Sequence, residues 1–270
     1  MYTINQYVKV TSLEEAYELN QKKANLIFGG SLWLRLGQRA IHTAIDLSKL
    51  GLDKIEETED AFRIGCMVTL REMELSTGLS ALSQGAIKES LRHIVGTQFR
   101  NCATIGGSIF GRFGFSDILT ILLVLDTEVE LYKGGIVSLV DFIDRPKDND
   151  ILSHIIIKKS KQKTRYSSFR LSATDFPVLT CAMSRGEDGK IRTAIGARPN
   201  KAMLLPVFDA NLAKENEKEK INVYADLIES QPIYGANRRG SAQYRRALAG
   251  ILVKRMLPEI LAEEEKTHDN

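Results

Sequence analysis

Short apolar runs broken by glycine and by polar punctuation set the pattern of this chain. Ser12-Leu13-Glu14-Glu15 has the form of a capping box, and Ala16 and Leu19 carry on a helical apolar face. An apolar run at 25–28 stops at Gly29-Gly30. Ser31 then opens a helical stretch over 31–39, and 43–47 returns as a strand. Strand, glycine turn, helix, strand is a small α/β unit whose turn is where a ligand would sit.

A second block begins at Ala61, with a strand over 61–66, a capping box at Thr69-Leu70-Arg71-Glu72 and a helix over 83–94. An irregular glycine-rich stretch, 96–114, follows. Ser116 or Asp117 caps a helix running through Leu125; strands are expected at 128–132 and 151–157, with a turn at Lys133-Gly134-Gly135 between them. The polar, charged run 158–164 is the expected boundary. Beyond it, 166–171, 178–184 and 190–196 read as three strands, the last two joined by a hairpin turn at Glu187-Asp188-Gly189. After Pro206 the pattern turns helical, with a charged stretch at 211–220 and a long amphipathic helix over 241–257. Tyr244, Leu248, Ile251 and Leu252 keep helical spacing there, and Arg245, Arg246 and Lys254 fall off that stripe.

A length of 270 residues suggests two domains, each able to bury its own core. With 43% hydrophobic and 26% charged residues the composition is that of a globular protein, which excludes disordered and fibrous classes. A net charge of +3 gives no electrostatic footprint for nucleic acid. Cys66, Cys102 and Cys181 lie far apart with no C-x-x-C. So odd and scattered a set is neither a disulfide framework nor an iron–sulfur ligand set, and it fits reduced thiols inside a cell. The histidines are equally dispersed, so no metal site is expected. The N-terminus lacks the basic and apolar regions of a signal peptide, and the most apolar run, 118–125, is too short to cross a bilayer. A cytoplasmic protein with no membrane partner is expected.

The candidate chemistry lies in two glycine loops, Gly29-Gly30-Ser31 and Thr104-Ile105-Gly106-Gly107-Ser108. Consecutive backbone N–H groups with no Cβ in the way suit a phosphate or pyrophosphate, and the hydroxyls of Ser31, Thr104 and Ser108 add neutral donors. A helix opening at Ser31 would also point its positive end at the anion. Ordinary turns would look the same at either loop alone. Neither loop fits the G-x-G-x-x-G or G-x-x-x-x-G-K-[ST] pattern.

The stretch Gln98-Phe99-Arg100-Asn101-Cys102-Ala103-Thr104-Ile105-Gly106-Gly107-Ser108-Ile109 resembles the second flavin loop of molybdenum hydroxylase FAD subunits, the medium chains of the xanthine dehydrogenase and carbon monoxide dehydrogenase type. Phe28-Gly29-Gly30-Ser31-Leu32 is similar to that family's first loop, and Asp117 matches its acidic residue. Asp175-Phe176-Pro177 and Arg239-Gly240-Ser241-Ala242-Gln243-Tyr244-Arg245 resemble stretches of its C-terminal domain. The likeness covers nearly the whole chain in the correct order.

The resemblance implies an α+β fold. An FAD-binding domain of the plant-type oxidase (PCMH) kind would span 1–163, with parts at about 1–55 and 56–163. A smaller α+β domain with a three-stranded antiparallel sheet and helices would span 164–270. By similarity, the backbone of Ile27, Phe28, Gly29, Gly30, Ser31, Leu32 and Trp33, together with Thr104, Gly106, Gly107 and Ser108, would hold the pyrophosphate of a noncovalent FAD. Phe110, Gly111 and Ser116 would line the path to the adenosine, with Asp117 accepting from its ribose. Ile94 would pack near the isoalloxazine, Leu152 would touch the flavin, and Arg170 stands where relatives place a lysine beside the ring.

The chain departs from the family pattern at Leu32, which replaces an acidic residue, and in 110–117, which has no proline and carries Phe113 and Phe115. The resemblance implies an electron-transfer subunit without a catalytic side chain. Its partners would be an iron–sulfur small subunit with [2Fe-2S] clusters and a large subunit with the molybdenum cofactor, and NAD a possible acceptor. A structural or assembly subunit that kept the fold and lost FAD is the alternative reading.

Overall fold

The computed structural model describes residues 3–209 and 216–262. Strands β1 (Thr3–Lys9), β2 (Leu26–Phe28) and β3 (Ala40–Asp46) form a parallel sheet in the order β1-β3-β2, with α1 (Leu13–Asn20) between the first two. Its middle strand buries Ile41, Thr43, Ala44 and Ile45, while β2 is left as a free edge. The Ser12 hydroxyl accepts from the Glu15 N–H and so starts α1, as the capping pattern predicts.

The second sheet is antiparallel, β4-β5-β8-β6-β7, built from β4 (Ile55–Glu57), β5 (Ala61–Gly65), β6 (Thr127–Leu131), β7 (Gly135–Ser138) and β8 (Leu152–Lys158). Period-two patterning decides which side is covered: Thr127, Val129 and Leu131 point inward. Between β5 and β6 run six short helices: α2 (Leu70–Leu75), α3 (Thr77–Leu82), α4 (Ala86–Arg92), α5 (Thr97–Arg100), α6 (Ile105–Gly111) and α7 (Asp117–Leu122). Helix α8 (Leu139–Asp144) follows β7. The Thr69–Glu72 capping box is formed in both directions, and Ser116 caps α7. The helix expected at 83–94 shortens to α4, because Gln84 and Gly85 take positive φ and break the run ahead of it.

Residues 159–161 separate β8 from β9 (Gln162–Phe169), which pairs with β10 (Leu179–Gly186), and β10 pairs in turn with β11 (Lys190–Gly196) in an antiparallel sheet. The three expected strands are present. Two short additions, β12 (Met203–Leu204) and β13 (Phe208–Asp209), also pair with β11 and make the sheet five-stranded. These are too short to leave a period in the sequence. Helix α10 (Ala242–Leu261) packs against β10 and β9, and α9 (Glu217–Ser230) packs against α10; the 211–215 part of the expected charged stretch lies outside the described residues.

Residues 179–184 of β10 are all buried, because the strand is covered on both faces. Ala182 joins a core with Leu119 and Leu122 of α7, while Cys181 and Met183 join a core with Leu252 and Val253 of α10. One strand therefore serves two cores.

Candidate functional site

The region expected to be irregular, 96–114, is where helices α5 and α6 lie, and the second glycine loop is the start of α6. Thr104 is its N-cap: the hydroxyl accepts from the Gly107 N–H at 3.3 Å and the carbonyl from the Ser108 N–H at 3.1 Å. The amides of Ile105 and Gly106 are also engaged, donating to the carbonyls of Val68 and Cys66. The expectation that this loop offers free amides is thus corrected. Its N–H groups stitch α6 to the 66–69 segment, and a Cβ on Gly106 would come within 2.6 Å of the Cys66 backbone and side chain.

The first loop behaves in the opposite way. The helix expected over 31–39 is absent; only a single 3-10 turn, Leu34–Leu36, forms. Ser31 takes φ +56, and a left-handed residue here stops a helical run before its first turn closes. A helix dipole therefore plays no part. Instead, the backbone N–H groups of Gly29, Gly30, Ser31, Leu32 and Trp33 donate to no acceptor among the described residues. Successive unpaired amides around a left-handed residue form a concave anion-binding nest.

The two loops meet directly. A Cβ on Gly30 would stand 1.8 Å from the Cys102 carbonyl oxygen, and one on Gly29 would stand 2.4 Å from the Thr104 hydroxyl. The glycines are needed for the loops to touch, so loop two is a wall behind the nest of loop one.

Of the site residues named from the sequence, all but Phe28 line one cavity of about 650 Å³, a size ordinary for a cofactor site. Ile27 reaches it from the free edge strand β2, Leu152 from β8, and Ile94 from the turn after α4. Arg100 fixes that turn, donating to the Ile94 carbonyl while paired with Glu74 at 2.8 Å. Burial would raise the Glu74 carboxyl, yet hydrogen bonds from Arg100 and Arg71 hold it below the usual range.

One end of the cavity is aromatic. Trp33 packs on Phe99 at 5.3 Å, on Phe115 at 5.1 Å and on Phe176 at 5.3 Å between ring centroids, and Phe113 stacks on Phe115. Each such pair contributes about 1 kcal/mol beyond its buried area. Arg239 lies over the Phe176 ring and pairs with Asp175. Phe99 and Phe176 stand inside the motifs that carried the resemblance, but no local pattern marked them as cavity residues.

Asp117 and Arg170 stand at this cavity, side by side. Arg170 Nη2 donates to Asp117 Oδ1 at 2.6 Å, and the Tyr166 hydroxyl donates to the same oxygen. Both members of the ion pair are nearly buried. The contact brings the two side chains together at one place on the cavity wall. Burial pushes the Asp117 carboxyl up to about 6, against the downward pull of Arg170 and Tyr166. His93, also on the cavity, is lowered by burial and then by Arg92 and Arg170. Burial raises the Cys66 thiol to about 12, which leaves it protonated and unreactive beside the cavity.

Residues 2–159 match the model of the FAD binding domain in molybdopterin dehydrogenase. The chain belongs to that family. The FAD-subunit member is 30% identical over 262 residues to the protein YgfM of Escherichia coli (strain K12), covering 93% of this chain and 94% of that one. It is 26% identical to the nicotine 6-hydroxylase medium subunit of Paenarthrobacter nicotinovorans, over 94% of this chain and 96% of the other. In fold it is similar to a chain of carbon monoxide dehydrogenase from Hydrogenophaga pseudoflava, with a TM-score of 0.84 at 22% identity, covering 96% and 97% of the two chains.

The residues present fit the cofactor for which the family is described. The nest of free amides at 29–33 suits a pyrophosphate, and the aromatic end suits a fused ring system. Among the described residues no cluster of His, Cys, Asp and Glu is arranged to hold a metal ion, and no helix is long and apolar enough to cross a membrane.

Proposed function

We propose that this chain carries FAD noncovalently and passes electrons through it, as one subunit of a molybdenum hydroxylase. The observation that carries the reading is the row of unpaired amides from Gly29 to Trp33, backed by the glycine wall of α6 and opening on an aromatic-lined cavity. In this reading the nest binds the pyrophosphate, Trp33, Phe99 and Ile94 pack against the ring system and keep water from it, and Leu152 and Ile27 support the rest of the cofactor. When bound, FAD supplies the exchange between one-electron and two-electron steps that links iron–sulfur clusters to a hydride acceptor.

The chain's own residues orient and shield, and none is asked to act as nucleophile or general base. The partners proposed are an iron–sulfur small subunit and a molybdopterin-binding large subunit, with NAD as acceptor and the cytoplasm as location. The full-length likeness to a medium subunit of a hydroxylase supports this assembly.

Trp33 is the only tryptophan in the chain and lies on the cavity wall, so it reports directly on occupancy. Titrating cofactor-free protein with FAD should quench its emission in a saturable way. The holoprotein should show flavin absorbance, and heating should release that chromophore intact. A colourless protein that takes up no FAD, alone or with its partner subunits, overturns the proposal in favour of a structural subunit.

A further inference from the structure

Strand β1 ends the first sheet with nothing paired beyond it. It runs beside β3 along its length, and past that ladder no backbone group of Thr3–Lys9 is hydrogen-bonded among the described residues. Helix α1 packs on β3 and β2 and leaves β1 bare. Every residue of the strand is exposed except Val8, which is half-buried; Ile4 and Tyr7 stand 38% and 60% exposed. Soluble proteins ordinarily blunt such an edge with a proline, a bulge or a charge in the middle of the strand. Here the seven residues contain no proline, keep one register against β3, and carry a single charge, Lys9, at the last position. An edge of this kind is a template for another strand.

Which strand it fits follows from its own sequence. Two copies that extend one sheet are related by a two-fold axis perpendicular to it, so the face that α1 covers lies on the same side in both. Residues directly opposite then share a face, and only registers that pair odd positions with odd and even with even are allowed. Among these, the register centred on Gln6 leaves no residue of the strand unpaired. It sets Ile4 opposite Val8, Asn5 opposite Tyr7, Thr3 opposite Lys9, and Gln6 opposite itself. Apolar side chains meet apolar ones on one face, and no like charges face each other. A shift by two positions in either direction leaves two residues of each strand unpaired and sets Ile4 or Val8 against Gln6. We infer that β1 is a docking edge for a second copy of this chain, added antiparallel about an axis at Gln6 to give one continuous sheet in the order β2-β3-β1-β1-β3-β2. A pairing of seven residues a side is small beside an obligate interface, so the dimer is reversible and depends on concentration. None of these residues lines the cavity, and the inference stands apart from the FAD reading.

A cysteine placed on the axis tests the register. Directly opposed residues of an antiparallel pair have Cα atoms about 4.5–5.5 Å apart, within the span of a disulfide. In the full-length chain, Gln6→Cys should therefore give a disulfide-linked dimer on mild oxidation, with the link located at position 6 by peptide mass spectrometry. Gln6 is exposed and accepts one long hydrogen bond, from Thr43 at 3.4 Å, so the fold does not depend on it. Thr3→Cys should not link to itself, because the two copies of position 3 would lie about 20 Å apart. Mixed with Lys9→Cys, it should link. Wild-type protein gives the background from the exposed Cys102. Sedimentation reads the reversible form: wild type should self-associate as its concentration rises. Gln6→Lys and Gln6→Glu should each weaken that association by about fivefold through like charges at the axis, and an equimolar mixture of the two should recover it. A wild-type chain that stays monomeric at every concentration, with no link through position 6, overturns the inference. So does a dimer that neither Gln6→Lys nor Gln6→Glu weakens, because its interface lies elsewhere. If position 6 links to a different chain in the complex with partner subunits, the edge belongs to that subunit and the second-copy assignment falls.

Discussion

At Gly30 the smallest possible change meets a fixed wall, because the Cys102 carbonyl oxygen stands 1.8 Å from where a Cβ would be. Both partners are backbone, so nothing flexible can yield. Gly30→Ala is expected to cost about 3 kcal/mol or more of stability and to weaken cofactor uptake, readable as a lowered melting temperature and a shallower FAD titration. Gly51→Ala is the comparison: no neighbour lies within 4 Å, and its φ of +67 limits the cost to backbone strain of about 1 kcal/mol. Asp117 makes a prediction with a definite sign. Its carboxyl rises from 3.8 to about 6 on folding, so folding takes up a proton there. Its contribution is most favourable below pH 4 and declines as pH rises through 6. Relative to wild type, Asp117→Asn should therefore gain stability between pH 4 and pH 7, as denaturation midpoints at several pH values would show. A difference that stays flat with pH defeats the prediction. These two residues also mark what sequence alone reveals. Glycine's lack of a side chain is a property of the letter, and the loops were legible from it. The contact of Asp117 with Arg170 spans 53 positions and exists only once β9 has folded against α7.

Among the elements, those with a local start signal were readable and those decided by backbone strain or by neighbours were not. Ser12, Thr69 and Ser116 each satisfy an amide three residues on, so α1, α2 and α7 begin where their hydroxyls stand. The stretch after Ser31 has helical spacing as well, but the positive φ at that serine and the close approach to Cys102 keep it open. Helix α10 was predicted for its stripe, yet its anchor is a residue that falls off it. Arg245 is fully buried, donating to the carbonyls of Val178, Gly235 and Gly240 and to the Asn237 side chain. Among the described residues no carboxylate pairs with it; the guanidinium serves as a hub for loop carbonyls, and burial lowers its pKa. Arg245→Ala should cost at least about 2 kcal/mol and loosen the 235–240 turn, which hydrogen exchange of the Gly240 amide would detect. Arg246→Ala, one position along and exposed, should be close to neutral.

Seen whole, the molecule has a polar run at 158–164 that reads like a seam, and the structure joins what that run separates. Only residues 159–161 lie between β8 and β9, and the sheet they lead into packs on α4 and α7 from the first part of the chain. The full chain is therefore expected to unfold in one cooperative transition, with tryptophan emission and far-ultraviolet circular dichroism giving the same midpoint. A fragment ending at residue 163 would leave α7, buried along its length, without its cover. It should be poorly soluble or lack a cooperative melt; a stable, monomeric fragment would show that the seam is real. The overall architecture was legible through the order of motifs, whereas the sharing of β10 between two cores was not, since a strand buried on both faces shows no alternation to say which layers cover it. That shared strand bears on how such chains can change over generations. Chimeras that join the front of one relative to the back of another at the polar run would set β10 of one parent against α7 of the other. Recombination there is disfavoured, and the two parts are bound to descend together as a single inherited unit.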